Sequence, residues 1–501
     1  MSATPTLASY EEALAAAERL APPQDAFIDG AAVPALSGRR FDCVSPRDGR
    51  VIARVAACDA PDVDRAVAAA RAAFEDGRWA RRSPRERRRT LLRFAELVDA
   101  HREELALLES LDMGKPIADA LAVDLRVTVD CIAFYAEAIT KRYDEVAPTD
   151  ARTLATITRE PVGVVGAVVP WNFPLMMAAW KFAPALATGN SVVVKPAEQS
   201  PLTALRVAAL AVEAGLPPGV LNVVPGFGPT AGAALGLHRD VDVVGFTGSG
   251  EVGRLFLRYA ADSNMKQVTL ECGGKSPQIV FPDAPDVAEI AGQIATGIFF
   301  NQGEVCSAGS RLLVHRSRKD ELLEALVAEA RRRAPGDPLD PATRTGALVE
   351  RAHLERVLGY IAVGREEGAD CVVGGAAARE ETGGVYVEPT ILDRVRPEMR
   401  VAQEEIFGPV LAVLEFETAE EAIAIANGTR YGLGAAVWTR DLSTAHLTAR
   451  ALRAGTVWVN CYDASDVTVP FGGYRESGFG RDNSLHALDK YTQLKTTWIQ
   501  L

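Results

Sequence analysis

The stretch VGVVGAVVPWNFPLMMAAWKFAPALATGNSVVVKP (162–196) decides the architecture. It opens on a short Val-rich run, Val162–Val169, and passes through an aromatic turn. It continues as a helical stretch over 176–187 and closes on a second Val-rich run, Ser191–Lys195. Reading outward, the same pattern recurs. Val220–Val224 and Val241–Thr247 are strand-like, and 200–214, 229–236 and 250–261 are helical. This β-α-β-α alternation predicts a parallel, doubly wound sheet. Ligands of such sheets dock outside the carboxyl ends of the strands.

A second alternation runs from Gln278 to about Val459. It predicts strands at 278–281, 310–315, 370–373, 410–416, 434–438 and 456–459, and helices at 286–300, 318–333, 348–366, 418–426 and 441–451. Two α/β domains joined near residue 275 are therefore expected. Ahead of them the pattern predicts a loose arm, a helix over Tyr10–Leu20, and amphipathic helices over 59–75 and 84–111. The segment 151–161 alternates β-branched residues without a near partner. With Lys495–Leu501 it is expected to form an edge hairpin that pairs between subunits.

A chain of 501 residues is too long for one ordinary domain. Hydrophobic residues at 48% and charged residues at 24% give a globular balance. The formal charge of −12 argues against a nucleic-acid partner, which needs a basic footprint. The basic run at 85–89 reads as a solvated helix face. No apolar run has the length of a membrane span, and Met1 to Asp25 carries no signal pattern, so no membrane partner and a cytoplasmic location are expected. The 7 cysteines and 6 histidines form no CxxC pair, no HExxH and no zinc-spaced cluster, so neither a metal nor a disulfide framework is expected.

Several segments carry chemistry, each with two readings. Gly226-Phe-Gly-Pro-Thr-Ala-Gly232 nearly fits a dinucleotide fingerprint, but its third glycine is one residue late and no acid follows at the right distance. Phe246-Thr-Gly-Ser249 ends a strand and opens a helix. It is either a phosphate seat, with Gly248 allowing close approach, or a turn with Ser249 as N-cap. Lys195 and Glu198 stand at a strand end, either as a ribose clamp or as a surface ion pair. A carboxylate there repels a 2′-phosphate, which favours NAD over NADP. Cys306, in NQGEVCSAGS (301–310), is either a reachable nucleophile or a buried structural thiol. Glu271, in ECGGK (271–275), is a general base or part of a tight crossover. Asn172, in PWNFP (170–174), is an oxyanion donor or the residue of a self-bonded turn.

The joint order of these stretches, with EEIFGPV (404–410) and PFGGYRESGFGR (470–481), resembles the aldehyde dehydrogenase superfamily over about residues 25 to 498. The resemblance implies an NAD-binding domain of residues 1–141 and 162–274, a catalytic domain of 275–474, and an oligomerisation segment of 142–161 and 475–501. It implies Cys306 as nucleophile, Asn172 as oxyanion donor with the Cys306 N–H, and Glu271 as the base for thioester hydrolysis. Lys181 with Asp482 is implied as a proton relay, although the family often has Glu at the second position. The implied NAD contacts are Pro170, Trp171, Lys195, Glu198, Gly228, Phe246, Gly248, Ser249, Glu405 and Phe407. Pro229 and Gly232 join Gly228 in the adenine wall. The common base motif has Leu where this chain has Cys272, which is either a small apolar filler or a disulfide partner for Cys306.

Phe173, Met177, Trp180, Val305, Asp463 and Phe471 are expected around the aldehyde. The segment from Asn460 to Lys490 resembles the bacterial γ-glutamyl-γ-aminobutyraldehyde and 4-guanidinobutyraldehyde dehydrogenases of putrescine and arginine breakdown. Asp463 and Asp466 near a tunnel mouth suit a cationic tail. An aromatic substrate such as an indole acetaldehyde is the alternative in the same class. A cofactor-independent cysteine esterase or acyltransferase is the alternative outside it, and the KPAE and FTGS segments argue against that. A coenzyme A-acylating enzyme is disfavoured because such relatives tend to lack the Glu base. A homo-oligomer, most simply a homotetramer, is implied.

Overall fold

The computed structural model describes residues 7–501; the first six residues of the expected arm lie outside the described residues. Five parallel strands form the centre of the first sheet, in the order Leu221–Val223, Ser191–Lys195, Val164–Val168, Val243–Gly248, Gln267–Cys272. Their residues are almost all buried, which parallel strands covered by helices on both faces require. The chain winds outward from Val164–Val168 in one direction, then restarts beside it at Val243–Gly248. The switch point of the sheet therefore lies between these two strands, and the rule for open α/β sheets places a ligand crevice at their carboxyl ends. Pro170-Trp171-Asn172 and Gly248-Ser249 follow those ends directly. Antiparallel strands close both edges: Ala26–Ile28 with Ala31–Val33 on one side, Gly478–Phe479 on the other.

The second sheet has seven strands, in the order Asp370–Val373, Thr390–Asp393, Val410–Phe416, Arg311–His315, Pro277–Val280, Gly434–Trp438, Thr456–Val459. All neighbours are parallel except the first pair. Thr390–Asp393 is the one strand of this sheet that periodicity does not predict; it is only four residues long and follows Pro389. The loop Gly273–Ser276 links the two sheets, so Glu271 stands one residue from the end of the last parallel strand of one sheet, just before the first strand of the other.

The expected helix over 84–111 is corrected by the structure. It is two helices, Pro84–Ala100 and Arg102–Met113, broken at His101. The second turns inward and is buried from Leu105 to Met113. Its acids explain the break. Glu109 accepts from Leu175 N–H at 2.8 Å and Asp112 from Leu202 N–H at 3.3 Å, so each caps the start of a helix of the first sheet. A further helical run, Ile117–Ala138, escapes prediction. It has a π-type segment at Ala120–Leu125, where buried Asp124 pairs with buried Lys115.

The segment at 151–161 does find a partner, more than 300 residues away. Thr153–Pro161 pairs antiparallel with Thr492–Gln500 along its whole length, and Glu145–Ala147 adds the third strand. Leu494 and Trp498 share a face of the outer strand and are about two-thirds exposed.

Candidate active site

A cleft of about 360 Å³ opens at the switch point. Its wall brings together Pro170, Trp171, Asn172, Gly248, Ser249, Glu271, Cys306, Glu405 and Phe407, and also Met177, Trp180 and Phe471. These residues come from six separate stretches of sequence.

The Cys306 loop is held from several sides. Asn301 and Gln302 lie in the left-handed region, at φ 48° and 57°, which costs about 1–3 kcal/mol each and persists only when surroundings enforce it. Asn301 Nδ2 donates to the carbonyls of Asn172 and Glu304, at 3.0 and 3.2 Å. Gln302 Oε1 accepts from Gly346 N–H, and Glu304 Oε1 from Val349 N–H, both at 3.0 Å. Asn172 Nδ2 donates to Glu304 O at 2.7 Å. That bond uses one of its two amide hydrogens and leaves the other free at the cleft wall. Val305 is buried beneath the loop, and Tyr462 Oη donates to Ser307 O.

The electrostatics of the cleft are those of a low-dielectric site. Burial pushes the Cys306 thiol well up, and the carboxylates of Glu271, Asp463 and Glu405 push it further. Glu271 is raised well above the usual carboxylate range, by burial first and then by Asp482, while Lys181, Lys490 and Arg481 oppose the rise. Neither oxygen of its carboxyl group has a hydrogen-bond partner. A Cβ at Gly472 would stand 2.6 Å from Glu271 Oε1, so glycine there is a packing requirement. Lys181 is not on the wall. It lies behind it, paired with Asp482, which does reach the cleft.

Glu405 folds over the end of the last parallel strand and accepts from Gly274 N–H at 3.0 Å. A Cβ at Gly273 would lie 2.0 Å from both its oxygens. Burial raises its carboxyl to about 7. Phe407, at φ 63°, is pinned by His353, whose Nε2 donates to Phe407 O at 2.6 Å, and by the edge of Trp171 at 5.2 Å. His353 also packs on Trp171 at 5.3 Å, and burial lowers its imidazole to about 4, so it is neutral. His353, Arg356 and Glu350 belong to the wall but no motif marks them, because they enter from the Arg351–Glu366 helix region by tertiary packing alone.

A second cavity of about 560 Å³ adjoins the cleft and shares Glu350 and Ala352 with it. Glu198 lines this one, with Phe41 and Phe227. Lys195 Nζ donates to Glu198 at 2.9 Å from a buried position. Gly228 sits in the turn beside Phe227, and no neighbouring atom approaches within 4 Å of where a Cβ would stand. Phe246 is buried under Gly248, where a Cβ would meet its ring at 2.6 Å, and stacks on Phe256 at 5.0 Å. Ser249 Oγ caps the Gly250–Ala261 helix, accepting from Val252 N–H at 3.2 Å.

Three residues expected near the aldehyde stand off the cleft wall. Phe173 is buried, stacked on Phe300 at 6.2 Å, with Lys115 over its ring at 4.1 Å. Val305 packs into the core. Asp463 is exposed, and its carboxylate accepts from Ser307 Oγ at 3.1 Å. Asp466 spends its carboxylate on Thr468. Cys272 faces away from Glu271, as successive strand residues must. Its Sγ packs against Gly253 of the neighbouring helix, 3.2 Å from where a Cβ there would stand. It fits the role of filler, and both thiols are free. Among the described residues no helix is long and apolar enough to cross a membrane.

Fold and cleft together define a two-sheet α/β protein with a thiol, an acid and an amide gathered at a switch-point crevice. The aldehyde dehydrogenase family profile matches residues 33–497, so the chain belongs to the aldehyde dehydrogenase family. It is 53% identical to the aminoacetaldehyde dehydrogenase of Pseudomonas aeruginosa, over 98% of this chain and 99% of that one. The crystal structure of an indole-3-acetaldehyde dehydrogenase complexed with NAD+ superposes with a TM-score of 0.98 at 59% identity, over 98% and 100% of the two chains. That of the γ-glutamyl-γ-aminobutyraldehyde dehydrogenase of Burkholderia cenocepacia J2315 does so with 0.97 at 58%, with the same coverage.

Proposed function

We propose that the chain oxidises an aldehyde to a carboxylic acid with NAD, through a thioester on Cys306. The observation that carries this reading is the single cleft lined by the Cys306 thiol, the Asn172 amide and the unpartnered Glu271 carboxylate. A dinucleotide fits the two adjoining cavities. Thr247 Oγ1 is a buried, unpartnered polar atom on the cleft wall beside Gly248 and Ser249, and Glu198, paired with Lys195, borders the outer cavity. When bound, NAD supplies the acceptor for the aldehyde hydride.

The chain's own residues do the rest. The Cys306 thiol releases its proton to solvent in the cleft, and its sulfur bonds to the carbonyl carbon as the C=O π pair moves onto oxygen. The carbonyl oxygen takes the charge and accepts from the free Asn172 N–H and the Cys306 N–H, each worth about 3 kcal/mol in such sites. Loss of hydride from that carbon leaves the acyl group on sulfur. Glu271 then takes a proton from water, the oxygen adds to the acyl carbon, and the C–S bond breaks to free the acid. Capture on sulfur splits one difficult step in two and fixes the C–H bond in place.

An aminoaldehyde is the substrate class best supported, by the relatives named above. γ-Glutamylaminobutyraldehyde and guanidinobutyraldehyde are the specific candidates. An aromatic aldehyde is the second reading, favoured by Trp180 and Phe471, which meet edge to face at 5.4 Å on the cleft wall. The deciding test is a screen of NADH and NADPH release with amino-, guanidino-, aliphatic and aromatic aldehydes. Release with aminoaldehydes and NAD is expected, and product formed without any nucleotide would favour an esterase instead. In the same screen Glu198→Ala should relax the preference for NAD over NADP by about tenfold, since it removes the carboxylate that repels a 2′-phosphate. An unchanged ratio would place discrimination elsewhere.

The exposed Leu494 and Trp498 on an open sheet edge support a homotetramer assembled through this arm. Light scattering should give the mass of four chains, and Trp498→Asp should lower it. A monomeric wild-type protein would contradict this.

A further inference from the structure

Glu271 faces a chain of buried charges that leads to a second, outer pocket. Asp482 is fully buried and sits between two ammonium groups: Lys181 Nζ donates to its Oδ2 and Lys490 Nζ to its Oδ1. Both backbone groups of Asp482 bond to Phe471, at 2.8 Å each, so the carboxylate is fixed in place. Asn483 and Ser484 follow in the left-handed region, at φ 58° and 54°, and this tight turn brings Lys490 back against Asp482. Lys490 is itself buried, yet it lines an outer pocket of about 480 Å³ with Arg481, His486 and Asp489.

The charges around Glu271 are therefore one acid, Asp482, and the two ammonium groups paired with it, Lys181 and Lys490, with Arg481 nearby. The other titratable groups facing Asp482 are Cys131 and Tyr135 of the Arg126–Ala138 helix, and Tyr491. Cys306 and Cys272 are the thiols that feel Glu271. None of these five carries a positive charge. Asp482, which shares the cleft wall with Glu271, is the charge that most disfavours ionised Glu271, and Lys181 and Lys490 both oppose it. With both ammonium groups on Asp482 the cluster carries a net positive charge. Without Lys490, Asp482 and Lys181 cancel, and Glu271 loses one of the cations that favour its ionised form.

We propose that Lys490 is a positioning residue for the Glu271 base: by neutralising Asp482 from the outer side it leaves Lys181 free to keep Glu271 ionisable. The proposal rests on the reading of Glu271 as the base of the second half-reaction, and it adds a residue that never touches substrate.

The test is rapid mixing of the full-length protein with NAD and hexanal from about pH 5 to 9, reading the first burst of NADH and the steady rate separately. Lys490→Gln keeps a hydrogen-bond donor but loses the charge. It should move the acidic limb of the steady rate to higher pH by about one unit, the lower end of the effect of one close charge, with the burst changed less. Lys490→Arg keeps the charge and should overlay the wild type. The double variant Asp482→Asn, Lys490→Gln removes both charges of the outer pair together, so it decides the matter even if the single Gln variant does not fold. Lys181 then acts on Glu271 unopposed, and the limb should move to lower pH. A limb that stays put in the Gln variants, or moves as far in Lys490→Arg as in Lys490→Gln, would overturn the proposal while a normal wild-type burst left the oxidation reading standing. Absence of any wild-type burst would overturn that reading and the proposal together.

Discussion

Replacing Cys306 with Ala is expected to abolish both the first burst and the steady release of NADH, a loss of more than about a thousandfold, while NAD still binds. The loss should be this large because nothing else in the cleft can take the sulfur's place. Cys272 packs against Gly253, away from Glu271, and Glu271 has no hydrogen-bond partner to orient it for direct attack on the carbonyl. NAD binding should survive because the Cys306 loop is fixed by Asn301, Gln302 and Glu304 rather than by the thiol. Fluorescence titration with NAD, beside a rapid-mixing burst assay, checks both halves. The raised thiol adds a pH dependence to the wild type. Burial and three nearby carboxylates keep Cys306 protonated at neutral pH in the free protein, so the burst rate should climb as pH rises. Turnover retained in Cys306→Ala would remove the nucleophile assignment.

Glu271→Gln is expected to slow the steady rate by about 10²–10⁴-fold and to leave most of the burst. The asymmetry follows from its place in the reaction. The thiol meets a carbonyl in the first half, whereas water must be activated in the second. The isosteric amide keeps the packing against Gly472 but cannot take a proton. Because Glu271 is raised well above the usual carboxylate range, it is protonated at low pH and gains its basic form only as pH rises. The wild-type steady rate should therefore fall on the acid side at a pH above that of an ordinary carboxylate, and that limb should vanish in Glu271→Gln. Equal loss of burst and steady rate would count against a role in deacylation.

The parallel sheets were legible because their strands are short runs buried on both faces, such as Ser191–Lys195, whose bounds the Val-rich run predicts without error. The turns at the switch point were legible for the same reason: Asn172 and Ser249 stand just past strand ends, where a ligand crevice is forced by topology. Arg102–Met113 and Ile117–Ala138 were not resolved correctly. Arg102–Met113 is buried from Leu105 onward, and acids such as Glu109 and Asp124, which cap other helices or pair with Lys115, mimic a solvated face in one dimension. His353 and the partnership of Lys490 with Asp482 were illegible for a different reason. Each gains its meaning only from a neighbour more than seven residues away in the chain, and neither sits in a motif. Phe173 shows the converse. Its neighbour Asn172 reaches the cleft, but the first turn of the following helix rotates Phe173 onto Phe300 and Lys115.

The covalent step is open to a single direct reading. Glu271→Gln protein mixed with NAD and one equivalent of hexanal, quenched in acid after the burst, should gain the mass of one acyl group per chain, carried by the peptide containing Cys306. A burst of NADH with no mass gain, or with the acyl group on another residue, would contradict capture of the aldehyde by this sulfur.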